Sequence, residues 1–303
     1  MVYPKPLKPG DRIAVVSPAS AVETAYVDAA CRTIEGWGYV PVEGKHCRQR
    51  HGTYSATADE RLSDLNEAIA DPSVRAILCS RGGYGAVHLV GNLDIAALQR
   101  DPKWLIGFSD ISALHATFVS NAVASIHGLM AKHMADCGED DECLKMLRAI
   151  LEGGKPVYNE PPHPLNRHGE AEGTLVGGNL AVLCGLISTP VDILKPGTIL
   201  FIEDVGEAVY RIERMLYNLN LNGTLPHVKA LIVGQFTEYQ CPDGNGETME
   251  QMIARMTAPY SFPVAYGFPI GHVARNMPLI EGATVHLSVT TAATTLEYLE
   301  NQP

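Results

Sequence analysis

In Trp104-Leu105-Ile106-Gly107-Phe108-Ser109-Asp110-Ile111 an apolar run delivers a serine to its end, and an acid and a helix-compatible segment follow. The run has the length of a buried strand, and strands of α/β sheets bind their ligands at such ends. A helix N-terminus placed there offers backbone N–H groups to developing negative charge. Taken alone, Ser109 has two readings: a nucleophile facing a pocket, or an N-cap whose hydroxyl satisfies a backbone donor of the following helix.

On the N-terminal side, short β-branched runs alternate with helical patterns. Arg12 to Ser17 reads as a buried strand, Ala25, Ala29, Ile34 and Trp37 mark a helix ending at Gly38, and Tyr39 to Val42 is a second strand. Thr57 with Glu60 three residues later predicts a capping box, a helix to Ala70 and, after Asp71-Pro72, a strand from Ala76 to Ser80. Leu93 to Gln99 is a short helix, Trp104 to Phe108 the strand before Ser109, and Val123 to His127 one more strand. Strand alternating with helix predicts a parallel sheet. After the third strand comes Arg81-Gly82-Gly83-Tyr84-Gly85, where the absence of Cβ atoms lets backbone N–H groups approach an anion. A plain turn is the alternative. Neither a dinucleotide Gly-x-Gly-x-x-Gly spacing nor a phosphate-loop lysine accompanies it.

The 303 residues suffice for two domains, with residues 1–152 as the first, 153–172 as a Gly/Pro-rich linker and 173–303 as the second. In the second half Gly177-Gly178-Asn179 precedes a helical stretch to Ile187. Thr198 to Ile202 is an apolar strand ending in Glu203-Asp204, and Val209, Ile212, Leu216 and Leu219 form one helix face. Lys229 to Phe236, Phe262 to Phe268 and the alternating tail from Ala283 to Leu299 read as strands, with a helix from Met249 to Met256. An apolar fraction of 46% with 19% charged residues fits a soluble globular protein, and a net charge of -11 disfavours nucleic acid and anionic membrane as partners. A small-molecule or peptide ligand is expected. Met1 to Gly10 carries Pro4, Pro6 and Pro9 in place of a secretory leader, which predicts a cytoplasmic protein. Seven scattered cysteines (31, 47, 79, 137, 143, 184, 241) without a Cys-x-x-Cys pair, and eleven dispersed histidines, predict neither a disulfide framework nor a metal site.

Acyl transfer needs a nucleophile, a base and a group that orients the base. Ser109, Glu203 and His272 each read as ending a strand, in the order Ser, Glu, His. A strand-end glutamate also serves as a cap or ion-pair residue, and His272 behind Gly271 also reads as a loop histidine, so the pattern alone does not join them. His115 and His127 are secondary candidates with a structural reading, and Glu207 with Arg211 reads as a surface pair.

Ser80-Arg81-Gly82-Gly83-Tyr84-Gly85, Gly107-Phe108-Ser109-Asp110, Phe201 to Glu207 followed by Tyr210 and Arg211, and Gly267-Phe268 with Gly271-His272, in this order, resemble the LD-carboxypeptidase family of serine peptidases. Leu7 to Asp11 and Gly177-Gly178-Asn179-Leu180 match as well. The resemblance implies an α/β fold: an N-terminal Rossmann-like parallel-sheet domain carrying Ser109, and a C-terminal β-rich α/β domain carrying Glu203 and His272, with the active site between them. It further implies a Ser109-Glu203-His272 triad and an oxyanion hole from the backbone N–H of Asp110 and of a residue in the Gly82-Gly83 loop, taken as Gly83. Arg81, with Gly82 and Tyr84, is the candidate for binding a substrate carboxylate, because a guanidinium meets it with two parallel bonds; the alternative is that Arg81 pairs an acid across the loop. No cofactor is implied, and a homodimer is. The implied substrate is a peptidoglycan-derived tetrapeptide. The alternatives are an aminoacyl-nucleotide amide of the microcin C type, and a non-catalytic Rossmann-like binding module. Ile111 stands where the hydrolase motif Gly-x-Ser-x-Gly has its second glycine, which argues against the α/β-hydrolase fold.

Overall fold

A computed structural model of the chain describes residues 1–138, 140–240 and 246–299, so Cys241 lies outside the described residues. They form two compact units, residues 1–155 with 277–282, and residues 156–276 with 283–299.

The first unit runs β1 (Arg12–Val16), α1 (Thr24–Gly36), β2 (Val40–Glu43), α2 (Ala58–Ala70), β3 (Val74–Cys79), α3 (Ile95–Arg100), β4 (Trp104–Gly107), α4 (Ser112–Ser120), β5 (Ser125–His127), α5 (Ala131–Asp136) and α6 (Glu142–Leu151). Its strands lie in the order β2-β1-β3-β4-β5, all parallel, and the strand Leu279–Glu281 closes the β5 edge antiparallel. β4 is buried along its whole length, as a central parallel strand covered on both faces must be. Pro41 is tolerated in β2 because that strand is an edge. Thr57 and Glu60 cap α2 reciprocally, side chain to backbone in both directions.

The second unit contains β6 (Val157–Glu160), β7 (Gly169–Asn179), α7 (Leu180–Cys184), β8 (Ile199–Val205), α8 (Val209–Leu221), β9 (Ala230–Thr237), α9 (Met249–Thr257) and β10 (Val264–Ala265). The chain then gives β11 (Leu279–Glu281) to the first sheet and returns with β12 (Thr284–Val289) and β13 (Thr294–Tyr298). The sheet order is β10-β9-β8-β7-β12-β13-β6. β10, β9, β8 and β7 are parallel and the remaining pairs antiparallel. The long β7 joins the two regimes, pairing antiparallel with β12 through Gly169 to Thr174 and parallel with β8 through Leu175 to Asn179.

Two sequence expectations differ from this structure. Residues 153–172 are not a structureless connection. They supply all of β6 and the start of β7, and Tyr158 and Glu160 are buried while Val157 and Asn159 are exposed, a one-faced edge strand masked by the surrounding glycines and prolines. The run Phe262 to Phe268 yields only Val264–Ala265 as strand. Pro263 and Pro269 lack the ladder N–H and Gly267 turns the chain at φ +69°, so His272 stands in an irregular loop rather than at a strand end.

Candidate active site

In the first unit, β4 ends at Gly107, and Ser109 opens a single 3-10 turn (Ser109–Ile111) ahead of α4. The N-cap of that turn is Phe108 and that of α4 is Ile111, neither with a side-chain cap bond, so the local geometry does not follow the helix-cap reading of Ser109. Ser109 takes φ +63°, a left-handed conformation that costs a β-carbon residue about 1–2 kcal/mol and that tends to persist where structure holds it for function. Gly107 permits the turn. A Cβ there would lie 3.0 Å from both Ile111 Cγ atoms and 3.2 Å from Cys79 Cβ.

The glycine loop lies directly against this serine. A Cβ on Gly82 would sit 3.0 Å from Ser109 Cβ and 3.2 Å from the Asp110 amide nitrogen. Gly83 has φ +93°, and a Cβ on it would meet Ser20 Oγ at 2.3 Å. Ser20 itself donates its N–H to the Gly82 carbonyl at 3.1 Å and accepts the Tyr84 N–H at 3.1 Å, which pins the loop from the other side. Asp110 completes the clamp: its buried carboxylate accepts the Ala86 N–H at 2.8 Å, and burial raises its pKa from the ordinary carboxylate range. The fully buried Arg61 donates to the Gly85 carbonyl at 2.9 Å and the Pro18 carbonyl at 2.6 Å. Sequence reading missed Ser20 and Arg61. The only signal for Arg61 was a charged residue on the same α2 face as Leu65, Ala68 and Ile69. Arg81 Nη1 donates to the Ala21 carbonyl at 2.9 Å, and no acid among the described residues pairs with it. Tyr84 is exposed, its ring edge-on to His88.

Both secondary histidines are buried behind Ser109. His115 Nε2 donates to the Gly107 carbonyl at 2.8 Å, which leaves Nδ1 to accept from Ser125 Oγ at 2.9 Å. Burial pushes the His115 pKa down to about 4. His127 packs edge-on to Phe108.

In the second unit, Glu203 lies inside β8, fully buried, two residues before the strand's end. The ladder to β9 slips beside it: Ile202 faces Val233 and Asp204 faces Phe236, so Gly234 and Gln235 stand opposite Glu203. Irregularities of this kind re-aim side chains near functional sites. Glu203 Oε2 meets His272 Nδ1 at 2.9 Å. A carboxylate accepts only, so Nδ1 carries the proton and Nε2 is the nitrogen able to take one up. Gly271, at φ +115°, allows this approach, since a Cβ there would lie 3.0 Å from Glu203 Cβ and Oε2. The adjacent Asp204 points to the opposite strand face and acts structurally. It accepts Asn179 Nδ2 at 3.0 Å, Ala181 N–H at 2.9 Å and its neighbour Val205 N–H at 2.8 Å, and burial pushes its pKa up to about 6. Glu207, just before α8, and Arg211 within it form the expected pair, 3.4 Å apart.

Among the described residues, His133, Asp141 and Cys143 each bring one ligand-type atom within 4.8 Å of the others. Asp141 Oδ1 there caps α6 through the Leu144 N–H, and Cys143 Sγ packs 3.5 Å from Met277 Sδ, which suits a packing cluster. The cysteines 31, 47, 79, 137, 143 and 184 are free thiols. No helix among the described residues is long and apolar enough to cross a membrane.

A strained serine beneath a glycine loop and a histidine on a buried glutamate are residue types that serine hydrolases use, and the chain is a serine carboxypeptidase. It belongs to the LD-carboxypeptidase family: the description of that family's N-terminal domain matches residues 13–128, and that of its C-terminal domain residues 172–287. It is 34% identical to the murein tetrapeptide carboxypeptidase of Pseudomonas aeruginosa over 91% of this chain and 92% of that one. The crystal structure of muramoyltetrapeptide carboxypeptidase from Oxalobacter formigenes is similar at a TM-score of 0.88 and 28% identity, over 96% of this chain and 100% of that one. The microcin C7 self immunity protein MccF, in a mutant form with adenosine monophosphate, shares the fold at a TM-score of 0.88 and 22% identity, over 98% of both chains.

Proposed function

We propose that the protein hydrolyses the amide bond to the C-terminal D-amino acid of a peptidoglycan-derived tetrapeptide, with Ser109, His272 and Glu203 as its triad. Ser109 Oγ attacks the carbonyl carbon, His272 Nε2 takes the hydroxyl proton and returns it to the leaving amine, and Glu203 holds the ring and offsets its charge. The backbone N–H groups of Asp110 and Gly83 receive the oxyanion. Arg81, flanked by Gly82 and Tyr84, reads the free carboxylate of the substrate with the part of its fork not spent on Ala21. The mechanism routes no step through a metal or cofactor. The enzyme works in the cytoplasm as a homodimer.

The observation that carries this reading is the 2.9 Å contact of His272 Nδ1 with a fully buried Glu203, since an unpaired carboxylate there is costly and the pairing leaves Nε2 basic. The identity to a murein tetrapeptide carboxypeptidase over nearly the full length supports the substrate. The test is release of D-alanine from murein tetrapeptide by the wild-type chain, Ser109→Ala and His272→Ala. Each variant should lose about a thousandfold or more in kcat. Turnover unchanged in Ser109→Ala removes the triad assignment, and preference for an aminoacyl-nucleotide amide over the tetrapeptide removes the substrate assignment.

A further inference from the structure

The loop that carries His272 is held at three points. Arg275 meets the Glu160 carboxylate with two bonds, at 2.6 and 2.9 Å. The Val273 N–H returns to the Gly271 carbonyl at 2.9 Å, and the Gly271 N–H donates to Asn276 Oδ1 at 2.9 Å. The last bond fixes the orientation of the Asn276 amide without ambiguity, because the partner is a donor and the oxygen must face it. Nδ2, a double donor, therefore points away from Gly271. Asn276 is 2% exposed, and among the described residues Nδ2 has no acceptor.

Glu203 lies against the same glycine. The position a Gly271 Cβ would take is 3.0 Å from Glu203 Oε2, the oxygen that meets His272. The second oxygen, Oε1, is fully buried and among the described residues has no donor. One glycine thus has as neighbours a buried donor and a buried acceptor that, among the described residues, have no partner. Each is costly alone, by far more for the carboxylate, and buried polar groups of this kind are satisfied by each other or by an ordered water with two to four polar partners.

We propose that Asn276 is a positioning residue of the site: Nδ2 donates to an ordered water that in turn donates to Glu203 Oε1, while Oδ1 holds Gly271, so that a single side chain fixes both the carboxylate and the loop bearing His272. With Oε1 held, the carboxylate cannot rotate its charge away from His272 Nδ1, and the imidazole keeps Nε2 toward its substrate proton. The inference rests on the triad reading above.

Asn276→Asp tests it, since the aspartate retains volume and an oxygen for Gly271 N–H but replaces the donor by an acceptor. The expected result is a fall in kcat of about tenfold to a hundredfold with KM within twofold, the loss of one bond to a charged group. The downfield proton resonance of His272 Nδ1–H should also shift. A purely structural Asn276 predicts wild-type kcat and an unmoved resonance in that variant, which overturns the proposal. A second measurement needs no Asn276 variant to fold: the Asn276 side-chain amide protons, observed in an otherwise wild-type chain, should shift on Glu203→Gln, and no shift also overturns it. Ser109→Ala and His272→Ala run alongside separate the two failures. If both lose activity and Asn276→Asp does not, the inference alone falls; if either stays active, the triad falls and takes the inference with it.

Discussion

Gly82→Ala and Gly83→Ala differ in what they ask of the loop, and the difference is computable from the structure. Gly82 has an ordinary backbone, so its alanine adds only a methyl, 3.0 Å from Ser109 Cβ and 3.2 Å from the Asp110 nitrogen and the Phe108 carbonyl. Those neighbours are the short Ser109 side chain and main chain, not a flexible tip, so the loop must retreat by a few tenths of an ångström. Such overpacking costs about 1–3 kcal/mol of stability. The proposed oxyanion donors move with the loop, and loss of one is worth about a hundredfold to a thousandfold in kcat. Gly83→Ala adds a backbone penalty of about 1–2 kcal/mol for φ +93° and a contact of 2.3 Å with Ser20 Oγ, which breaks the Ser20 pin. Steady-state kinetics on murein tetrapeptide with urea denaturation of each variant separates the terms. Gly82→Ala should lose most in kcat and least in stability, while Gly83→Ala loses heavily in both. A Gly82→Ala enzyme with kcat within threefold of wild type would refute the assignment of this loop to the oxyanion.

Arg81→Ala should raise KM for the tetrapeptide about tenfold to a hundredfold and leave a C-terminally amidated analogue unaffected; equal effects on both remove its role in reading the carboxylate. Two buried groups should give stability opposite pH slopes. His115 is pushed from 6.5 down to about 4, so below pH 6.5 the unfolded chain takes up a proton that the folded chain refuses, and stability rises with pH across that window by about 3 kcal/mol. Asp204 is raised from 3.8 to about 6, so its contribution, also about 3 kcal/mol, is present below pH 3.8 and lost as pH rises through 6. Relative to wild type, His115→Phe should tilt the stability curve downward between pH 4 and 6, and Asp204→Asn upward, in urea titrations. Parallel curves for all three chains would refute both shifts.

The first unit was largely legible in sequence because its elements are locally coded. Thr57 and Glu60 announce α2, Asp71-Pro72 ends it, and the apolar runs of β1, β3 and β4 lie within one or two residues of their expected positions. β6 was not legible, because its half-buried character depends on β13 beside it and not on its own composition. The run before His272 read as a strand for the complementary reason. Its apolar residues are buried, but two prolines deny it the ladder that would make it one. β11 shows the same limit: three residues that interrupt the second unit complete the first unit's sheet.

By itself the sequence determined the alternation of elements and carried the resemblance to the family, since strand and helix periods and glycine spacing are properties of neighbours in the chain. Tertiary structure alone decided their geometry. It brought Gly82 against Ser109 and Glu203 against His272, groups 27 and 69 residues apart, and it set both Asn276 and Glu203 against Gly271. Such contacts join residues far apart in the chain, and they are held because a polar group buried by the fold is costly unless it is paired.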